Sequence, residues 1–282
     1  LSQVAKLLKG QLLRTVVICP MIDILPAIKG VLFSILQRSK ISDISEDLQH
    51  VQFDKLVDNN GLVNMAEVDP VKDIAVLQYT GGTTGLPKGA MLTHANVLAN
   101  AQQIKYWMPS IDGGDESVLG VIPLFHSFAM TTVMNLSLIS GSQMYLLPRF
   151  DLKQVLETLS KNKVTLMMGV PTIFIAINGY DDLQDYDLTS LKVCISGGAP
   201  LPIAVKEEFE KQTGCSLVEG YGLSECSPVV TCNPIGAKNK QGSIGLPLPG
   251  TVVEVRSPDE KQALKPLGEK GEVCVIGTQV MA

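Results

Sequence analysis

The sequence predicts an α/β fold in which mainly parallel strands form layered sheets with helices on their faces, followed by a small β-barrel-like subdomain. Two observations predict it. Between residues 15 and 228, short apolar runs alternate with stretches of helical periodicity, which is typical of strand–helix–strand units. After residue 228 the helical stretches give way to short strand-like runs between glycines and prolines.

In the first half of the chain, apolar or β-branched runs that end at a turn residue predict the strands. These strands are expected at residues 15–19 (TVVIC), 74–79 (IAVLQY), 117–123 (SVLGVIP) and 143–147 (QMYLL). Helices are expected after the first strand as far as residue 38, at residues 53–57 and 94–106, and between the last two strands. The strand at residues 74–79 is expected to be buried. It leads into a glycine-rich loop and a helix, the order that phosphate sites favour.

In the second half, capping and stop signals mark the helices. Asp151 is a good N-cap for a helix at residues 152–161, where apolar side chains follow helical spacing. Proline begins a helix at residues 171–177, and Gly214 ends one at residues 202–213. Strands are expected at residues 164–170, 191–196, 217–219, 252–255 and 272–276. The last two have no helix between them, which predicts the small β subdomain.

Composition excludes some classes of protein. The 282 residues carry 23 basic and 28 acidic side chains, a net charge of −5, whereas a nucleic-acid-binding protein usually has a basic surplus. A hydrophobic content of 45% and a mean hydropathy of +0.23 indicate a sizeable core, and the length favours two domains. The six cysteines include no Cys-x-x-Cys pair, which favours a reduced, cytoplasmic protein.

Neither a signal peptide nor a membrane-spanning helix is predicted. Lys6 and Lys9 interrupt the first apolar stretch, and the most apolar region, residues 15–36, contains two prolines and two charged residues. Residues 28–36 are either a helix that faces the core or an amphipathic segment at a surface. The sequence leaves open both a peripheral contact with the inner face of a membrane and a homodimer.

Residues 79–89 (YTGGTTGLPKG) predict a phosphate-binding loop. Its glycines allow main-chain N–H groups to turn towards an anion, its threonine hydroxyls add donors, and Lys88 adds a compact positive charge. The loop is not a Walker A motif, because Leu86 and Pro87 stand where that motif requires Gly-Lys. For such a loop taken alone, a plain flexible turn is the alternative.

Four further motifs follow the loop along the chain. They are PLFH at residues 123–126, SGGAP at residues 196–200, GYGLSE at residues 220–225 and GSIGLP at residues 242–247. In this order, the loop and the motifs resemble those of the acyl-CoA synthetase, adenylation-domain and luciferase superfamily. The surrounding residues (KGAMLTHANVLAN, GYGLSECSP, GSIGLPLPG) are most similar to bacterial long-chain fatty acid CoA ligases.

The resemblance implies a ligase of fatty acid metabolism. Such an enzyme uses ATP and Mg²⁺ to convert a long-chain fatty acid to an acyl-adenylate, and then transfers the acyl group to coenzyme A, so that pyrophosphate and AMP are released. The residues implied to bind the nucleotide are Thr80, Gly81, Gly82, Thr83, Thr84, Gly85, Lys88, Gly197, Gly198, Ala199, Pro200, Glu219, Gly220, Tyr221, Gly222 and Ser224.

Catalytic and substrate-binding roles follow from the same resemblance. Lys88, Glu225 and His126 are the implied catalytic residues. Glu225 is implied to be the magnesium ligand, His126 to lie near the reacting carboxylate, and Phe174 to gate the acyl tunnel, as an aromatic residue does in some long-chain ligases. The simpler alternatives are a surface lysine for Lys88, a solvated carboxylate for Glu225, and core side chains for His126, Tyr221 and Phe174.

The resemblance also divides the chain into domains. Residues 1–110 are implied to be the C-terminal part of a first α/β subdomain with the phosphate loop, residues 111–230 a second α/β subdomain with the adenine and magnesium motifs, and residues 231–282 the start of a β-barrel. The family's ribose-binding aspartate, and the adenylation lysine on its mobile C-terminal domain, have no counterpart here. We therefore expect a truncated N-terminal domain that does not complete the ligase reaction alone.

Other functions remain open at this stage. Within the superfamily, an aryl, short-chain or amino-acid-activating enzyme is an alternative, because acyl-chain preference depends on the depth of a tunnel that motifs do not report. Outside catalysis, the alternative is a nucleotide-binding scaffold that keeps the fold without turnover. Lys88 and Glu225 favour an enzyme over a scaffold, since both are present at the implied catalytic positions.

Overall fold

The computed structural model divides the chain into two compact units, Leu1–Glu67 and Val68–Ala282. The structure describes residues 2–10, 12–38, 41, 44, 49–62, 66–81, 87–108, 114–237, 239–240, 242–259 and 262–282.

The first unit contains a small parallel sheet of two strands, β1 (Val16–Ile18) and β2 (His50–Gln52). Its helices are α1 (Ser2–Lys9), α2 (Met21–Ile24), α3 (Ala27–Leu36) and α4 (Phe53–Val57). The predicted first strand and the short helix at residues 53–57 are confirmed. In α3 only Gly30 is buried, so the structure does not confirm a helix that faces the core.

The second unit is built on a seven-stranded sheet. Its parallel strands are β5 (Ser117–Gly120), β6 (Gln143–Leu146), β7 (Leu166–Gly169), β8 (Val193–Ser196) and β9 (Ser216–Gly222). Two antiparallel strands, β10 (Val229–Cys232) and β11 (Leu246–Pro247), extend the sheet beyond β9. The strand order is β11-β10-β9-β8-β7-β5-β6. The mainly parallel sheet predicted from the sequence is thus confirmed.

Helices cover both faces of this sheet. Successive strand residues point to opposite sides, so the apolar side chains on each face pack against a layer of helices. They are α5 (His94–Trp107), α6 (Ser127–Ala129), α7 (Leu136–Ser140), α8 (Leu152–Asn162), α9 (Pro171–Asn178) and α10 (Ile203–Thr213), with a π-helix at Met130–Asn135. On one face, Met167 packs with α8, α9 and α10, and on the other face Met168 packs with α5 and α7. In the described part of the chain, no helix is long and apolar enough to span a bilayer.

The described strands on the two sides of the glycine-rich loop form a β-hairpin, which the sequence did not predict. Strands β3 (Ile74–Thr80) and β4 (Lys88–Thr93) pair as a two-stranded antiparallel sheet, and α5 begins only after β4. The prediction of a buried strand at residues 74–79 was wrong, since Leu77 and Tyr79 are exposed. An apolar run does not by itself distinguish a strand covered on both faces from a hairpin strand covered on one.

The last strands, β12 (Val252–Arg256) and β13 (Glu272–Ile276), form an antiparallel pair at the predicted positions. The described elements do not confirm a barrel. The run that follows residue 228 becomes β10 of the main sheet, so the change of sequence rhythm there does not mark the edge of the sheet.

Candidate functional site

A cavity of about 250 Å³ opens at the carboxyl ends of β8 and β9. Ligands commonly bind at this edge of a parallel sheet, where the loops that follow neighbouring strands meet. The predicted residues that line the cavity are His126, Gly197, Gly198, Gly220, Tyr221, Gly222 and Ser224. Motifs that are far apart in the sequence therefore surround one space.

The loop after β8 needs glycine for two different reasons. Gly197 is buried, and a Cβ atom there would lie 3.1 Å from the ring of Phe128. Gly198 has a φ of +80°, a left-handed conformation that favours glycine. Ala199 and Pro200 follow as exposed residues and do not line the cavity. Gly197 and Gly198 thus place main-chain atoms without side chains at the cavity wall.

The end of β9 forms the opposite wall. Tyr221 is half-buried and lines the cavity. A Cβ atom on Gly222 would overlap the carbonyl oxygen of Pro228 on the paired strand segment. Glu219 points elsewhere, because its carboxylate accepts a hydrogen bond from the Leu201 N–H at 3.4 Å and lines a separate polar cavity. The structure therefore separates Glu219 from its neighbours in the motif.

The turn of residues 223–228, between β9 and β10, carries Ser224 and Glu225. The Ser224 hydroxyl lies 3.3 Å from the Ser127 hydroxyl, and Thr131 donates a hydrogen bond to the Ser227 carbonyl at 2.5 Å. Glu225 is half-buried, and no described residue donates a hydrogen bond to its carboxylate or forms an ion pair with it. The side chains of Ser127 and Thr131 thus hold the turn in place, while the Glu225 carboxylate is available to a ligand.

A single available carboxylate fits a magnesium ion bound together with nucleotide. No cluster of three or more metal-binding side chains occurs among the described residues. Mg²⁺ does not require such a cluster, because it keeps several waters and takes further oxygen ligands from the phosphates of its substrate. Glu225 is the residue that would hold the ion, where the ion would neutralise phosphate charge.

The hairpin formed by β3 and β4 carries Lys88 at the start of β4. Thr80 and Lys88 are register partners, and the Thr80 hydroxyl lies 3.5 Å from the Lys88 carbonyl oxygen. Lys88 is exposed, and its ammonium group has no ion-pair partner in the described part of the chain. Gly81 is exposed beside this pair. The other predicted loop residues, Gly82, Thr83, Thr84 and Gly85, lie outside the described residues.

His126 lies at the mouth of the cavity and caps α6. Its Nδ1 accepts a hydrogen bond from the Phe128 N–H at 3.2 Å, so the neutral ring carries its proton on Nε2. Phe174 is elsewhere, since it is fully buried and its ring makes an edge-to-face contact with Phe209 at 5.1 Å. The structure therefore brings His126 to the cavity but not Phe174.

Sequence reasoning missed several residues around the cavity, among them Ser127, Phe128 and Cys232. Ser127 and Phe128 directly follow the PLFH motif, and that adjacency was the available signal. No local pattern marked Cys232. Burial raises the pKa of the Cys232 thiol to about 12, so it remains a neutral side chain of the cavity wall and not a thiolate nucleophile.

Comparisons with known proteins agree with this geometry. The profile of the AMP-binding enzyme family matches residues 6–282. The long-chain-fatty-acid–CoA ligase of Bacillus subtilis (strain 168) is 46% identical over 270 residues, which cover 92% of this chain and 47% of the relative. The chain thus spans about half the length of that relative.

Solved structures of similar fold include the following two. A long-chain-fatty-acid–CoA ligase from Archaeoglobus fulgidus matches with a TM-score of 0.67 and 28% identity, covering 77% of this chain and 44% of its own. ATP-bound MatB from Rhodopseudomonas palustris matches with a TM-score of 0.74 and 26% identity, covering 95% of this chain and 51% of its own. The family profile, the relatives and the fold all confirm the resemblance, and this chain belongs to the AMP-binding enzyme family.

Proposed function

We propose that this chain is the ATP-binding part of an AMP-forming ligase that converts a long-chain fatty acid to its acyl-CoA. The observation that carries the proposal is the convergence of Tyr221, Ser224 and His126 on one cavity. Glu225 does not line this cavity, but it follows Ser224 directly in the chain. The names of the similar ligases and the ATP bound to the similar MatB support the same reaction.

The cavity offers the adenine ring and the α-phosphate of ATP chemically suitable walls. The adenine ring would lie between the Tyr221 ring and the bare main chain of Gly197 and Gly198. The Ser224 hydroxyl would donate a hydrogen bond to the α-phosphate. The β- and γ-phosphates would extend towards Lys88, whose ammonium group would offset their charge.

The first reaction step would be attack of a carboxylate oxygen on the α-phosphorus of ATP. The new P–O bond gives the acyl-adenylate, and the bond to the bridging oxygen of pyrophosphate breaks. Lys88 would stabilise the negative charge that moves onto pyrophosphate. His126 would donate its Nε2–H to the non-attacking carboxylate oxygen and so orient the acid. In the second step the sulfur of coenzyme A would bond to the acyl carbon, the bond from that carbon to the AMP oxygen would break, and the thiol proton would pass to water.

Binding of ATP to the purified chain tests the site. Replacing Tyr221 with alanine is expected to raise the Kd for Mg²⁺-ATP by about 10- to 100-fold, the loss typical of a base that loses its aromatic stacking partner. Tyr221→Phe keeps the ring and is the matched control, with an affinity close to wild type. Equal affinity of the alanine variant and wild type, by equilibrium dialysis, would show that the adenine does not bind here.

The acyl specificity needs a separate experiment. Because the chain spans 47% of the Bacillus subtilis ligase, the assay uses a chimera in which the chain replaces the matching segment of that enzyme. Acids of increasing chain length, from octanoate to stearate, are expected to compete increasingly well, since each buried methylene contributes about 0.8 kcal/mol. A preference for an aryl or short-chain acid would replace the long-chain proposal with another member of the family.

Phe174 does not gain support as the gate of an acyl tunnel. Its ring is enclosed in the core against Phe209 and does not line the cavity. Gating would require the ring to leave this contact. The role therefore stays a prediction, and the acid series in a Phe174→Leu chimera tests whether chain-length preference depends on it.

A further inference from the structure

The proposed nucleotide site combines two parts that strand pairing does not hold together. Lys88 lies on the hairpin β3–β4, which is a sheet of its own, whereas Glu225 lies in the turn between β9 and β10 of the seven-stranded sheet. Simultaneous contact of both side chains with one triphosphate requires a fixed separation, because a displacement of about 1 Å is costly in such a site. Other contacts must supply that register.

Helix α5 supplies the first connection. It leaves β4 directly, and its fully buried Asn100 bonds both main-chain groups of Val229, four residues beyond Glu225. The Asn100 amide accepts from the Val229 N–H at 3.0 Å and donates to the Val229 carbonyl at 2.7 Å. These two hydrogen bonds hold α5, the helix that follows β4, against Val229, the first residue of β10.

The strap, residues 277–282, supplies the second connection, and Gln279 anchors it. Gln279 is fully buried and donates a hydrogen bond to the Thr251 hydroxyl at 2.6 Å. Its amide oxygen accepts from the Gln103 amide of α5 at 3.2 Å. Gln103 also donates to the Pro249 carbonyl at 2.8 Å, so it keeps a partner without Gln279.

The end of the strap bridges the two halves of the nucleotide site. The Met281 N–H donates to the main-chain carbonyl of Glu225 at 2.8 Å, and the next N–H, that of Ala282, donates to the Met91 carbonyl of β4 at 3.1 Å. Met91 is three residues from Lys88 on the same strand. Two successive N–H groups therefore connect the turn of residues 223–228, which carries Glu225, to β4, which begins at Lys88.

We propose that Gln279 is a positioning residue for the phosphates of magnesium-bound ATP. By anchoring the strap, it holds Glu225 in register with β4 and Lys88, although it does not line the cavity. The inference rests on the proposed function, since it assumes that Glu225 and Lys88 act on one triphosphate. It predicts that loss of the anchor weakens the Mg²⁺-dependent part of ATP binding in particular.

The test compares ATP binding with Mg²⁺ and with EDTA in the purified chain. Gln279→Leu removes both side-chain bonds at similar size, and it is expected to reduce the affinity for Mg²⁺-ATP by about 10- to 100-fold, the range seen when a group that orients a metal ligand is lost. Affinity in EDTA should change little. Gln212→Leu, at an exposed glutamine of α10 outside the cavity, is the control and should behave as wild type in both conditions.

A second pair of variants tests the anchor from its other side. Thr251→Val removes the hydroxyl that Gln279 donates to, and it should reproduce the Mg²⁺-specific loss, whereas Thr251→Ser restores the hydroxyl and should restore binding. This pair also decides the matter if Gln279→Leu does not fold, as judged by its thermal melt. If the segment serves only general stability, Thr251→Val should weaken ATP binding equally with Mg²⁺ and with EDTA.

The outcomes separate this inference from the proposed function. If the wild-type chain binds no ATP with or without Mg²⁺, both the site and the inference fail. If wild type shows Mg²⁺-dependent binding that the variants retain, only the inference is overturned. Equal losses with Mg²⁺ and with EDTA would also overturn it, because they would indicate a general change of structure.

Discussion

Replacing Lys88 with alanine is expected to slow acyl-adenylate formation by about 10²- to 10³-fold, the effect of removing one donor from developing negative charge. Lys88 is the first residue of β4, and its ammonium group has no ion-pair partner among the described residues. No acidic side chain in the described part of the chain therefore competes with a phosphate for this ammonium group. Because the residue is exposed, its truncation should leave the fold intact.

Pyrophosphate exchange into ATP, measured in the chimera, tests this expectation. The matched control is Lys153→Ala, which removes another exposed lysine, on α8, that does not line the cavity. Fatty acid affinity, measured separately, should be nearly unchanged in the Lys88 variant, because the charge is needed in the transition state. Equal losses of exchange rate and fatty acid affinity would contradict a role at the phosphates.

Replacing Gly222 with alanine is expected to weaken ATP binding by about 100-fold or more, since it forces the carboxylate turn away from its position. The added Cβ atom would overlap the Pro228 carbonyl, which also accepts a hydrogen bond from the Leu223 N–H. Main-chain atoms cannot move aside as a flexible side chain does. Relief of the overlap therefore has to shift the strand pair that carries Ser224 and Glu225.

The same substitution should lower the free energy of unfolding by about 1–3 kcal/mol, as overpacking in a tight site generally does. Gly179→Ala is the control, because a Cβ atom there meets only the Ile175 carbonyl oxygen at an ordinary 3.4 Å and φ is negative. Urea denaturation and equilibrium dialysis of both variants measure the two effects. Normal ATP binding by the Gly222 variant would show that the turn does not hold the nucleotide.

Much of the second unit was predictable because its signals are local. The N-cap prediction holds, since Asp151 accepts a hydrogen bond from the Gln154 N–H at 2.9 Å at the start of α8. Gly214 has the left-handed φ of +72° expected where α10 stops. The hairpin was missed because the residues of β4 show no alternation strong enough to separate a strand from the approach to α5.

The candidate site, too, could be predicted from the sequence only in part. The motif residues were found from the sequence, and Tyr221, Ser224 and His126 do meet at one cavity. Glu219 belongs to the same run of sequence, yet it lines another cavity, where its carboxylate accepts a hydrogen bond from the Leu201 N–H. The position of the Phe174 ring could not be predicted either, since helical spacing does not distinguish an apolar ring that faces a tunnel from one that faces the core.

From the sequence alone, periodicity predicted the α/β class of this protein, and the resemblance of its short motifs predicted its family, because both depend on stretches of a few residues. The register between Lys88 and Glu225 depends instead on contacts such as Gln103 with Gln279, which are 176 residues apart. Such contacts arise from the order of the strands and the path of the strap. No short stretch of sequence encodes that path, so the positioning of the site emerged only in the folded chain.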